Sequence, residues 1–212
     1  MERVEFDGIV LQVPACVYEP REDSFLLAEA VKKFARGTFL EVGTGSGLSA
    51  IVAARKKGVK RVVAVDSSAC ALKAAQKNAA ANGVSKKIVF RKSNLFSAVK
   101  EKFDCIAFNP PYLPSDAADK TRGPLKAAWD GGTTGRAVID EFLRRAGRHL
   151  QPRGIVLLVS SSLSSSKQDN SGNAETKDLL EKLGFDAKVL ARKDFFFEHL
   201  TVFKARLKKV LK

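Results

Sequence analysis

The stretch TFLEVGTGSG, residues Thr38 to Gly47, decides how the rest of the chain is to be read. Its first half is a short apolar run of the kind that fills a buried strand. Its second half alternates glycine with small polar residues, at Gly43, Gly45 and Gly47, which permits a tight turn and close approach of backbone to a ligand. A helix is expected to open near Gly45–Gly47 and to stop at Gly58. The next apolar run, RVVAVD (61–66), ends on a carboxylate, Asp66. Strand, glycine turn, helix and strand form the repeating unit of a parallel sheet with crossover helices.

Working outward, the same alternation continues. Further strands are expected at 87–90, 103–108, 154–160 and 185–192, with a last one near 197–206. Ahead of the first strand, DSFLLAEAVKKFARG puts Leu27, Val31, Phe34 and Ala35 on one helical stripe that ends at Gly37. Ser67 and Ser68 cap a helix that runs to about Ala81 and stops at Asn82-Gly83. Other helices are expected over 135–149 and 174–183. The Ser-rich stretch 160–173 reads as a mobile loop, and DFFFEHLTVF (194–203) as core and sheet edge rather than an aromatic binding box. With no repeat and no linker, the 212 residues read as one doubly wound α/β domain.

Composition narrows the class. Apolar residues make up 45% of the chain, enough for a sizeable core. The N-terminus, MERVEFDGIV, does not look like a signal peptide, and the longest clean apolar run, IVLLV (155–159), is far too short to cross a bilayer. Cys16, Cys70 and Cys105 are scattered and odd in number, and only His149 and His199 could join them. No metal site is expected in this chain, Cys16 reads as packing, and both histidines read as structural. The expectation is a reduced, cytoplasmic, soluble protein. A formal charge of +14 favours acidic partners such as nucleic acid, ribosome-bound factors or an acidic protein, although solvated basic faces would give the same number.

Two motifs carry chemistry. Glycines spaced G-x-G-x-G depart from the dinucleotide pattern G-x-G-x-x-G, and Glu41 adds a negative charge at the strand end. That combination suits a ligand with positive charge and no phosphate, whose ribose hydroxyls Asp66 can bind; S-adenosylmethionine fits. The second motif is AFNPPYLP (107–114). Three prolines in five residues cannot continue a strand ladder. They stiffen a clamp in which the Asn109 side-chain carbonyl and the Pro110 backbone carbonyl accept the two hydrogens of an NH₂ group, while Tyr112 covers a planar amide or base.

Glu41–Gly47 resembles the first motif of Rossmann-like S-adenosylmethionine-dependent methyltransferases, and NPPY (109–112) resembles the fourth motif of those that modify amino or amide nitrogens. VYEPREDSFLL (17–27) and AAWDGGTTGRAVIDEF (127–142) resemble the HemK-related glutamine methyltransferases of the archaeal and eukaryotic type. The resemblance implies a seven-stranded, mostly parallel sheet with an antiparallel last strand, and residues 1–37 covering the cofactor pocket. It also implies methyl transfer from S-adenosylmethionine to the glutamine of the Gly-Gly-Gln motif in a class 1 peptide-chain release factor. Asn109, Pro110, Pro111 and Tyr112 take the catalytic positions. Tyr18, Ser24, Glu41, Gly43, Gly45, Asp66, Asn94, Leu95 and Asn109 take the cofactor positions, with Asn94 standing where the family usually has Asp. Trp129, Gly131 and Gly132 match a loop near the substrate, and a small zinc-binding activator is expected on the edge strand 87–90.

Two rival readings stand beside this one. A nucleic-acid methyltransferase acting on adenine N6 or guanine N2 would use the same clamp, and the basic surface would contact its substrate. Such enzymes flip a base and need a target-reading segment, for which only the loop from Ser115 to Thr134 is spare. A non-catalytic scaffold would keep the pocket but has no need of an intact Asn109–Tyr112.

Overall fold

The computed structural model describes residues 1–115, 126–167 and 169–208. The middle of the loop expected as spare substrate surface (116–125) and the end of the basic tail (209–212) lie outside them. The chain opens with two short strands, β1 (Glu2–Phe6) and β2 (Ile9–Val13), and then alternates helix and strand. In order come α1 (Glu22–Phe34), β3 (Gly37–Val42), α2 (Leu48–Arg55), β4 (Val59–Asp66), α3 (Ala69–Ala81), β5 (Ile88–Lys92), β6 (Phe103–Phe108), α4 (Lys126–Trp129), α5 (Ala137–Ala146), β7 (Leu150–Ser161), α6 (Gly172–Lys182), β8 (Phe185–Asp194) and β9 (His199–Leu207). Seven strands form one sheet in the order β5-β4-β3-β6-β7-β9-β8. The five from β5 to β7 run parallel, and β9 is antiparallel to both β7 and β8.

Both faces of the sheet are covered, which is why its strands read as unbroken apolar runs. In β6, Cys105 and Ala107 face α1 to α3, while Ile106 and Phe108 face the other way. α5 closes that second face with Ile139, Phe142, Leu143 and Ala146, a stripe of helical spacing. The parallel strands β3, β4 and β6 release the chain at one rim of the sheet, at Val42, Asp66 and Phe108, and both sequence motifs sit there.

Four features depart from the expectations. First, β1 and β2 pair as an antiparallel hairpin, turning through Asp7 and Gly8 at φ 49° and 68°. Asp-Gly between alternating residues is the signature of such a turn. The outer edge of β2 is satisfied by two side-chain amides one helical turn apart, Asn78 in α3 and Asn82 just after it. Asn78 accepts from Gln12 N (2.9 Å) and donates to Gln12 O (3.2 Å), and Asn82 does the same for Val10 (3.3 and 2.8 Å). Asn78 Nδ2 also donates to Ser46 O in the glycine turn (2.9 Å).

Second, the Ser-rich stretch is packed rather than loose: Ser160, Ser161, Ser162, Ser164 and Ser165 are all buried. Ser160 Oγ donates to Thr176 Oγ1 (2.9 Å) and Ser164 Oγ to Gly135 O (2.7 Å). Buried Arg136 donates to Ser164 O and Gly172 O and pairs with Asp140 and Glu175. A serine run looks mobile by composition, but hydroxyls that find partners order it instead. Third, Cys16 and Cys70 are not separate thiols; they form a disulfide with Cα atoms 6.4 Å apart, and Cys105 remains free and buried. Fourth, DFFFEHLTVF divides in two. Leu200, Val202 and Phe203 are core, but Phe195, Phe196 and Phe197 are 38, 92 and 76% exposed at the turn between β8 and β9.

Neither histidine lines the pocket described below. His149 stacks on Phe96 with ring centroids 4.4 Å apart, and His199 Nδ1 lies 2.7 Å from Asp194. No helix among the described residues is long and apolar enough to cross a membrane.

Candidate active site

The turn after β3 explains its glycines. Gly43, Gly45 and Gly47 all adopt left-handed conformations, at φ 64°, 54° and 88°. Gly47 is also the residue before α2, and a Cβ there would lie 3.0 Å from the Ala75 side chain of α3. Glu41 lies buried at the base of this turn. Its Oε2 accepts from Thr44 Oγ1 (2.6 Å) and from Ala50 N (3.0 Å). Burial pushes its carboxyl up to about 7, against the lowering effect of those donors. Through these bonds Glu41 ties the turn to the first turn of α2 while also lining the cavity.

Asp66, at the end of β4, accepts from Gly45 N (3.0 Å) and Ser68 N (2.8 Å), one bond to each oxygen. Each oxygen keeps acceptor capacity for a hydroxyl. Burial raises its pKa despite the backbone donors. Beyond β5, Asn94 is exposed and its backbone N–H donates to Ser97 Oγ (3.0 Å), while Leu95 sits at φ 47° and turns the chain back toward the pocket.

The NPPY segment leaves β6 at the same rim. Asn109 Nδ2 donates to Asp23 Oδ2 (2.9 Å), and so does the Tyr112 hydroxyl (3.2 Å). The Tyr18 hydroxyl lies 3.4 Å from the same oxygen, and Ser24 donates through both N (2.6 Å) and Oγ (3.2 Å) to Asp23 Oδ1. Asp23 is 4% exposed, in the first turn of α1, where an acidic residue also suits the helix dipole. Five donors thus converge on one buried carboxylate, which is how a buried charge becomes tolerable. Burial first, and the Asp23 charge second, raise both phenols well above their usual range. With its amide nitrogen held by Asp23, Asn109 leaves Oδ1 buried and without a partner. The reverse amide orientation would set oxygen against carboxylate, so the pairing fixes which atom stays free.

The rest of the clamp is held by backbone. Leu113 N donates to Trp129 O (3.0 Å), Gly131 N to Leu113 O (2.8 Å) and Ser115 N to Gly132 O (2.8 Å). Gly135, at φ 71°, packs directly beneath the segment, and a Cβ there would overlap the Tyr112 carbonyl oxygen.

Tyr18, Ser24, Glu41, Gly43, Gly45, Asp66, Asn94, Leu95, Asn109, Pro110, Pro111, Tyr112 and Trp129 all line one cavity of about 790 Å³. Gly131 and Gly132 support its wall without lining it. The residue that reading the sequence missed is Asp23. Its only sequence signal was an acidic residue at a helix start, which ordinarily marks the dipole, and its partner Asn109 lies 86 residues away.

The Methyltransferase small domain family matches residues 21–123. A Methanocaldococcus jannaschii protein assigned as a protein N5-glutamine methyltransferase is 41% identical over 95% of this chain and 98% of its own length. Mouse methyltransferase HEMK2 is 34% identical over 68% of this chain and 71% of its own. Among solved structures, the E. cuniculi Mtq2-Trm112 complex, described as responsible for methylation of the eRF1 termination factor, shares the fold with a TM-score of 0.65 at 22% identity, covering 91% of this chain and 99% of that one. By its full-length similarity, the chain belongs to the family of protein N5-glutamine methyltransferases related to HEMK2.

Proposed function

We propose that this protein methylates the side-chain amide nitrogen of the glutamine in the Gly-Gly-Gln motif of a class 1 peptide-chain release factor, with S-adenosylmethionine as methyl donor. The observation that carries the chemistry is the orphaned Asn109 Oδ1, held in the pocket wall by the Asp23 contact. A buried acceptor without a partner costs roughly 1–3 kcal/mol, which a donated N–H recovers. The substrate is supported by the family membership and by the names its relatives carry.

The residues present fit the cofactor. Asp66 offers free acceptor capacity for ribose hydroxyls, the glycine turn keeps side chains out of the cavity floor, and the cavity volume is in the range of cofactor sites. In this assignment Gly43 and Gly45 pass beneath the cofactor, Asn94 and Leu95 flank the adenine, and Tyr18 and Ser24 border the methionine end. When bound, S-adenosylmethionine supplies an electrophilic methyl group on a sulfonium.

An amide nitrogen is a weak nucleophile because its lone pair is delocalised into the carbonyl. Asn109 Oδ1 and the Pro110 carbonyl accept hydrogen bonds from its two N–H groups and turn the lone pair toward the methyl carbon. The N–C bond would form as the S–C bond breaks, and the nitrogen would then give up one proton to solvent. Such positioning supplies several kcal/mol on its own. Pro110 and Pro111 keep the two acceptors fixed, so binding costs little further order. Tyr112 offers its ring to the flat amide, and its hydroxyl is held by Asp23.

A small zinc-binding activator is assigned to β5. This strand is an outer edge of the sheet, with Val89 exposed near its start, and the fold neighbour from E. cuniculi is itself a two-protein complex. The working compartment is assigned as the cytoplasm, where release factors act.

The test is labelled methyl transfer to the intact release factor, to the factor with its Gly-Gly-Gln glutamine replaced by alanine, and to bulk tRNA. The wild-type chain and Asn109→Ala are compared, with and without the activator. Label on the intact factor alone, lost in Asn109→Ala, is the expected result. Label on tRNA, or on the alanine factor, overturns the reading.

A further inference from the structure

The turn between β8 and β9 presents an aromatic prong that no part of the pocket uses. Phe196 and Phe197 stand out of the surface with their rings edge to face, centroids 4.5 Å apart, and Lys193 lies over Phe195 at 5.4 Å. Exposed neighbouring aromatics of this size are costly in water and mark contact surfaces. A hairpin tip meant only to connect two strands would carry glycine, asparagine or serine.

Its position limits what can sit on it. β9 is antiparallel to β7, with Ser161 opposite Leu200, so the tip before His199 rises from the rim at which β6 delivers Asn109 to Tyr112. Two strand spacings, about 10 Å, separate β6 from β9 across that rim. The tip is also fastened to the site. Lys193 pairs with Glu22, the neighbour of Asp23, at 3.8 Å. Ser161 Oγ donates to Glu198 Oε1 (2.6 Å), and Phe195 N donates to Glu198 O (2.7 Å). Glu198 is close enough for its charge to act on Tyr18 and Tyr112.

We infer that Phe196 and Phe197 form the docking anchor for the body of the protein substrate, beside the loop that delivers its glutamine. This rests on the reading that the acceptor is a folded release factor. A macromolecule that inserts one side chain between Asn109 and Tyr112 must cover the rim around it, and the prong is a strongly exposed apolar feature beside that rim. Two phenylalanines buried there would remove on the order of 150–250 Å² each from water. Specificity then has two parts: the clamp reads the amide, and the prong reads the surface that carries it.

The test is the double variant F196S/F197S, which alters two exposed side chains outside the cavity. Steady-state methylation of the intact release factor is measured together with direct binding of that factor, cofactor binding, thermal stability and oligomeric state. The expected result is an apparent KM and a factor Kd raised about tenfold or more, as for loss of aromatic anchors, with kcat and cofactor binding unchanged. F196Y/F197Y should restore most of the affinity. Unchanged KM and Kd overturn the anchor and leave the activity standing. So does a fall in kcat matched by a loss of thermal stability, which would make the turn structural. A wild-type dimer that dissociates on substitution would make the prong a self-contact and likewise overturn the proposal. A wild-type enzyme that neither binds nor methylates the factor removes the substrate reading, and the anchor falls with it.

Discussion

Replacing Asp23 by asparagine changes almost no volume and should still cost most of the activity. In the wild type Oδ2 of Asp23 faces Asn109 Nδ2 and the two phenols, while Oδ1 faces Ser24 N. Ser24 N can only donate, so the single amide oxygen of the Asp23→Asn variant must stay on the Ser24 side. The new NH₂ group then points at Asn109 Nδ2, donor against donor. The local remedy is for Asn109 to rotate and accept with Oδ1, the atom assigned to the substrate. Turning it back forfeits a neutral hydrogen bond of about 1 kcal/mol and strands a buried donor at roughly 1–3 kcal/mol. The sum, roughly 2–4 kcal/mol, corresponds to a fall in kcat of about 30- to 1000-fold. Single-turnover methylation at saturating factor measures it, alongside calorimetric cofactor binding and a melting curve. Asp23 acts through Asn109 as a positioning residue, so cofactor affinity should hold to within about threefold. A kcat within about threefold of wild type in a folded variant would refute the argument.

Two other outcomes follow from groups outside the clamp. Glu41 has its pKa raised from 4.5 to about 7 by burial, so folding favours its protonated form. That contribution is fully present below pH 4.5 and is lost as pH rises through about 7, a difference of roughly 3 kcal/mol. The melting temperature of Glu41→Gln relative to wild type should therefore rise between about pH 5 and pH 7.5; a difference flat in pH would show that Glu41 does not titrate there. The Cys16–Cys70 disulfide closes a separation of 54 residues. Its reduction, or Cys70→Ser, should lower stability by up to roughly 4 kcal/mol on the chain-entropy estimate. Denaturant melts with and without reductant read this directly, and no change would mean that the bond does not persist in solution.

The order of elements was legible because each depends on neighbours in the chain. The strand, glycine turn and helix from Thr38 onward, and the proline-stiffened exit from β6, declare themselves over short stretches of sequence. The hairpin at residues 2–13 carries an equally local signal, Asp7-Gly8 between alternating residues. The remaining misses share a different cause. Asp23 and Asn109, Cys16 and Cys70, and the serines gathered around Arg136 are distant in sequence, and only the winding of the sheet brings them together. The bonds of Glu41 to Thr44 and Ala50 were likewise not legible, because sequence tells which face of a strand a residue takes and not which neighbour its carboxylate will find.

Asn78 in α3 and Asn82 at its end give residues 2–13 a meaning beyond shielding an apolar face. Asn78 holds β2 with one hand and the Ser46 carbonyl with the other. The hairpin therefore works as a splint on the glycine turn, set from outside the pocket. The floor on which the cofactor is expected to rest is stiffened by a segment that never touches it. Its shape then depends on residues 2–13 as well as on Gly43, Gly45 and Gly47 themselves.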